Sequence, residues 1–143
     1  MAALPSCHLI LRYCKPKSYA YPKELKTIGD HLRKHRLDLG LDQKTTGQRI
    51  GVHCASILNW ERNRTEPELR HLPGILAFLG YDPRPTPATM AGHLTSFRQG
   101  KGWTQSHFAG ILGVDPSTLA RWERGERDPT GTYRARVNLA IGE

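Results

Sequence analysis

The feature that most constrains this chain is that it is written twice. Sliding the sequence by 62 positions aligns residues 28–67 with residues 90–129 without a gap, and eleven of the 40 pairs are identical. They are His31/His93, Leu32/Leu94, Arg36/Arg98, Gly40/Gly102, Gln43/Gln105, Gly51/Gly113, Val52/Val114, Trp60/Trp122, Glu61/Glu123, Arg62/Arg124 and Pro67/Pro129. Apolar exchanges at Ile50/Leu112 and Ile57/Leu119 keep the same register. A fold for this chain must therefore be two copies of one small unit. Between them lies Tyr81-Asp82-Pro83-Arg84-Pro85-Thr86-Pro87, with proline at every other position. Such a run favours an extended polyproline conformation and cannot continue a helix. The resulting division is a basic arm (1–26), a first unit (27–80), a Pro-rich linker (81–89) and a second unit (90–143).

Composition narrows the class. With 38% hydrophobic and 24% charged residues in 143, the chain is not disordered throughout. No apolar run approaches the roughly 20 residues that span a bilayer, and no signal-peptide core is read near the N-terminus. A cytoplasmic protein without a membrane partner is expected. Three cysteines, Cys7, Cys14 and Cys54, are too few for a disulfide scaffold. The formal charge is +8, and half of it sits in residues 1–26. A chain this basic points to a polyanion, nucleic acid first.

Helical spacing runs through both units. Ile28, Leu32, His35 and Leu39 predict a helix over 28–38, stopped by Gly40. Asp42 can cap a second helix over 43–50, and Gly51-Val52 makes a tight turn before a third helix over 54–62. Pro73 suits the start of a fourth helix running to Leu79, with Gly80 at its end. In the second unit Thr104 replaces Asp42 as cap. Asp115-Pro116 opens the third helix better than its counterpart does, because Asp caps and Pro suits the first turn. A last helix is predicted over 132–141. No strand pair is expected, so the fold class is all-α.

A short helix, a Gly-containing turn and a second helix make a helix-turn-helix. The turn needs Gly51 or Gly113, and the residue four earlier must be small because the helices nearly touch. Gly47 and Ala109 meet that need, although Gly47 lowers helix propensity by roughly 1 kcal/mol relative to Ala. Residues 43–60 and 105–122 resemble the helix-turn-helix of phage repressors and Cro, the XRE family. The resemblance rests on Gly102-Trp103-Thr104-Gln105, on Gly113-Val114-Asp115-Pro116-Ser117-Thr118-Leu119 and on Trp122-Glu123-Arg124-Gly125-Glu126-Arg127. In the first unit Asn59-Trp60-Glu61-Arg62-Asn63-Arg64 plays the last part. It implies two tandem lambda-repressor-like helix-turn-helix domains, a bacterial or phage-like origin, double-stranded DNA as partner and a role in transcription control.

The resemblance also implies the site. The third helix would lie in the major groove with its N-terminal residues toward base edges. The matching positions are Cys54, Ala55 and Asn59 in the first unit and Pro116, Ser117 and Arg121 in the second. Gln43 and Gln105 match a phosphate-contacting Gln, while Arg62 and Arg124 can reach phosphate. Lys15, Lys17, Lys23 and Lys26 are the arm's expected phosphate contacts. Arg121 can grip guanine O6 and N7, and Asn59 can pair with adenine, whereas Cys54 and Ala55 offer no strong hydrogen bond. Repeat two is thus the expected reader. Repeat one, with Thr46 where repeat two has Phe108 and with an exposed Leu58 expected, would supply register. An extended linker of nine residues would span roughly 28 Å.

Other readings carry less. Trp60 and Trp122 are expected in the core rather than stacked on bases. His31 and His35 have a metal-like i, i+4 spacing, but His35 becomes Phe97 in the second copy, which suggests packing. Cys7, His8 and Cys14 form no paired zinc signature. No catalytic triad or phosphate-binding Gly loop is read, so no enzyme activity, metal or cofactor is expected. The rival is an interaction or antitoxin-like adaptor in which repeat one uses Leu58 to oligomerise; a homodimer is left open.

Overall fold

The computed structural model describes residues 21–142; the expectations for residues 1–20, Lys15 and Lys17 among them, lie outside the described residues. There are eight α-helices and no strand among the described residues. The first unit holds α1 (Ile28–Asp38), α2 (Gln43–Ile50), α3 (Cys54–Glu61) and α4 (Leu72–Leu79). The second holds α5 (Met90–Gly100), α6 (Gln105–Leu112), α7 (Pro116–Glu123) and α8 (Gly131–Ile141). A 3₁₀ turn at Leu69–His71 leads into α4, so that helix begins one residue before Pro73. No described helix is long and apolar enough to cross a membrane.

Local chemistry sets the helix starts. The Asp42 carboxylate accepts from the Thr45 amide at 2.6 Å, and Thr104 Oγ1 accepts from the His107 amide at 3.2 Å. Thr27 and Asp30 form a reciprocal capping box at the head of α1. Each unit then closes on its own core. Leu32, Ile57, Trp60, Ile75 and Leu79 form the first. Leu94, Phe108, Ala109, Leu112, Leu119, Trp122 and Val137 form the second. Trp60 and Trp122 are both buried, as their spacing predicts. His31 and His35 are engaged in packing: the His31 ring lies 2.8 Å from the Tyr81 hydroxyl, and His35 meets Phe78 edge-on at 5.1 Å.

A buried ion pair locks each unit at the same place. Arg36 grips Glu61 through Nε at 2.5 Å and Nη2 at 2.8 Å, and its Nη1 donates to the Leu41 carbonyl. Arg98 grips Glu123 at 2.6 and 2.9 Å and donates to the Trp103 carbonyl. Gln43 and Gln105 complete the two sets, donating to Glu61 Oε2 at 3.0 Å and Glu123 Oε2 at 2.8 Å. One Arg–Glu–Gln cluster thus ties the first, second and third helices of each unit together.

The duplication also reaches further than identity shows. At the same offset Ile75 pairs with Val137, both fully buried, and Gly80 pairs with Gly142, both left-handed helix stops. The repeat is a four-helix unit. The two units touch, because α4 packs against α5.

Candidate nucleic-acid interface

The turn between α2 and α3 is built as its residues dictate. Gly51 has φ +84° and Gly113 φ +68°, a left-handed conformation that glycine adopts without a Cβ clash. The amides of Gly51 and Val52 both donate to the Gly47 carbonyl at 2.8 Å. A Cβ on Gly47 would lie 2.6 Å from the Val52 carbonyl oxygen. Gly47 is therefore required by the approach of α3 to α2, which outweighs its lower helix propensity. Ala109, fully buried, holds the same position in the second unit.

The third helices differ at their heads. Asp115 caps α7 by accepting from the Ser117 amide at 2.8 Å. Hydrogen bonds from the Ser117 hydroxyl and amide hold this carboxyl below the usual aspartate range. In α3 the cap is His53, whose Nδ1 accepts from the Ala55 amide at 3.2 Å. That role requires the neutral ring with its Nδ1 lone pair free. The sequence reading assigns no cap there; the alignment of His53 with Asp115 is the signal that points to it.

The outward faces differ as well. On α7 Leu119 and Trp122 point into the core while Pro116, Ser117 and Arg121 are exposed. On α3 Ile57 and Trp60 are buried, Ala55 is exposed, and Cys54 and Asn59 are half-buried. Leu58 is half-buried too. That corrects the expectation of an exposed Leu58, because on α3 it lies beside the inward-facing Ile57 and one turn before the buried Glu61.

The expected phosphate contacts fall into three groups. Gln43 and Gln105 have one amide hydrogen committed to glutamate, which leaves their second N–H for another acceptor. Arg62 is exposed, and so is Arg64 two residues on; neither has an acidic partner among the described residues. Arg124 is exposed but paired with Glu126 at 2.6 Å. In the arm Lys23 is exposed, and Lys26 is exposed and paired with Glu24.

A cleft of about 460 Å³ beside α7 adds residues that sequence reasoning does not single out. Arg127, Asp128, Thr130 and Tyr133 line it together with Thr118, Arg121 and Trp122. Arg127 closes the Trp-Glu-Arg-Gly-Glu-Arg run, which is its sequence signal. Two guanidinium groups, hydroxyls and an exposed ring stand there beside the third helix, with the Asp128 carboxylate among them.

A family model described as helix-turn-helix matches the chain twice, over residues 32–85 and 94–133. No curated protein and no solved structure matches the chain.

Proposed function

Because the chain belongs, as a tandem copy, to the XRE-type helix-turn-helix family, we propose that it is a sequence-specific reader of double-stranded DNA that acts in transcription control. The observation that carries this reading is the outer face of α7. Its cap is firm, its inner face is locked by Leu119 and Trp122, and Arg121 stands exposed with no salt-bridge partner among the described residues. A guanidinium presented from a rigid helix can donate two parallel hydrogen bonds to one guanine.

Labour divides between the two copies. Repeat two reads bases through Arg121 and Ser117. Repeat one contributes Asn59 as its one base-pairing side chain, and Arg62 and Arg64 as cations for phosphate. The arm's Lys15, Lys17, Lys23 and Lys26 add charge without sequence preference. The functional divisions are the arm, the two helix-turn-helix units and the linker, with the bounds given above.

Selection of bound duplexes from a random pool tests the reading. Enrichment of one motif supports it; equal retention of all duplexes supports non-specific binding, and no retention supports the adaptor. Arg121→Ala should weaken binding by about 1–3 kcal/mol and relax preference at one guanine. If Asn59→Ala abolishes preference and Arg121→Ala leaves it intact, the reader is repeat one. Removing residues 1–26 should flatten the log–log salt slope by about 0.9 for each phosphate released, with the selected motif unchanged.

A further inference from the structure

The linker that the sequence reads as an extended polyproline spacer is clasped. The Arg84 side chain is only 17% exposed. Its Nε donates to Asp82 Oδ1 at 2.9 Å and its Nη2 to Asp82 Oδ2 at 2.6 Å. The same guanidinium reaches repeat two, with Nη2 donating to the Ser96 carbonyl at 3.1 Å and Nη1 to Gln99 Oε1 at 3.2 Å. The Asp82 carboxyl is held below its usual range, first by the Arg84 side chain.

Around this clasp the two units are in van der Waals contact. A Cβ on Gly102 would lie 3.0 Å from Pro73 Cγ and 3.3 Å from the Leu69 carbonyl oxygen. One on Gly100 would lie 3.2 Å from Arg84 Nη2 and 3.8 Å from Leu76 Cδ1. The duplication makes the seam specific. Gly40, the counterpart of Gly102, has nothing within 4 Å of the equivalent point. Gln99 stands where repeat one has Leu37, so the acceptor for Arg84 exists only on the copy that the linker faces.

We propose that Arg84 is a positioning residue that fixes the separation of α3 and α7, so that the protein reads a two-part DNA site at one spacing. The proposal rests on the reading that both repeats touch DNA. A flexible tether lets each unit find its half-site over a range of separations, at the cost of effective concentration. A clasped pair presents two helices at one separation and one rotation. Moving one half-site by about 5 base pairs turns it to the far side of a duplex with about 10 base pairs per turn.

The test uses the full chain and duplexes carrying the two selected half-sites at every separation across one helical turn. Wild type should bind one separation best, with a loss on the order of 10²-fold half a turn away, since only one unit then engages. Arg84→Ala should keep the same half-site sequences and bind several separations within a few-fold of each other. Gln99→Leu, which restores repeat one's residue and leaves the Arg84–Asp82 pair, should broaden the preference in the same direction. A circular-dichroism melt establishes that each variant is folded. Two half-sites bound by wild type at indifferent spacing would overturn the proposal alone. So would sharp spacing retained by both variants. A pool that yields only one half-site would overturn the two-repeat reading and the proposal with it.

Discussion

The two repeats share one frame and fill it differently. In repeat two the position after the α6 cap is followed inward by Phe108 and Ala109, both fully buried. Repeat one has Thr46 and Gly47 there; Thr46 is equally buried and spends its hydroxyl on the Asp42 carbonyl at 2.8 Å. A buried Phe contributes about 1.5–3 kcal/mol of apolar burial that Thr cannot match. Repeat one makes up part of the difference elsewhere. Its α4 is almost wholly apolar, His35 packs on Phe78, and α4 packs on α5 as well as on α1 and α2. The end of the third helix differs too. Gly125 has φ +71°, while Asn63 takes φ +54° and uses its side chain to join Thr27 and Asp30. The lesson is that duplication preserved the helix-locking cluster and released the surface: α7 presents an exposed Arg121, while the turn after α3 presents Arg62 and Arg64 with no carboxylate partner among the described residues.

The largest expected effects test what the copies share. Glu61→Ala and Glu123→Ala each strand a buried guanidinium, so each should cost about 3–5 kcal/mol in denaturant unfolding. Equal losses sharpen the view of one common lock; a loss in one copy only breaks it. Next comes the close approach at the turn. Gly47→Ala should destabilise by about 1–3 kcal/mol, since the new Cβ meets the Val52 carbonyl. The reverse change, Ala109→Gly, should cost about 1 kcal/mol through backbone entropy and lost burial. A stabilised Gly47→Ala protein would show that repeat one is looser than its geometry.

The smallest effects concern the caps. His53→Asp gives α3 the carboxylate that α7 has, and should raise stability by about 0.3–1 kcal/mol through the helix dipole. The Asp42 and Asp115 carboxyls are held below the usual aspartate range by hydrogen bonds from Thr45 and Ser117. A depressed folded-state pKa contributes stability above the unfolded value, and that contribution is lost as pH falls through the folded value. Asp115→Asn should therefore shrink the acid sensitivity of melting. Equal acid sensitivity in the variant and the wild type would remove Asp115 from the account.

The sequence by itself determined the duplication, the all-helical class, most of the helix starts and stops, and the DNA-binding class. These are legible because each rests on short-range chemistry: an Asp or Thr three residues before an amide, a Gly at a left-handed turn, apolar residues three and four apart. The recurrence of Arg36, Gln43 and Glu61 as Arg98, Gln105 and Glu123 was visible too, but not its meaning. Arg36 and Glu61 are 25 residues apart, and only the closing of α1 on α3 makes them one cluster. His53 differs: its Nδ1 accepts from the Ala55 amide two residues on, a short-range contact that the alignment with Asp115 signals. Tertiary structure alone decided that Leu58 is half-buried and that the linker is clasped. Each depends on what lies opposite in space, and no spacing along the chain encodes that Arg84 faces Ser96 and Gln99.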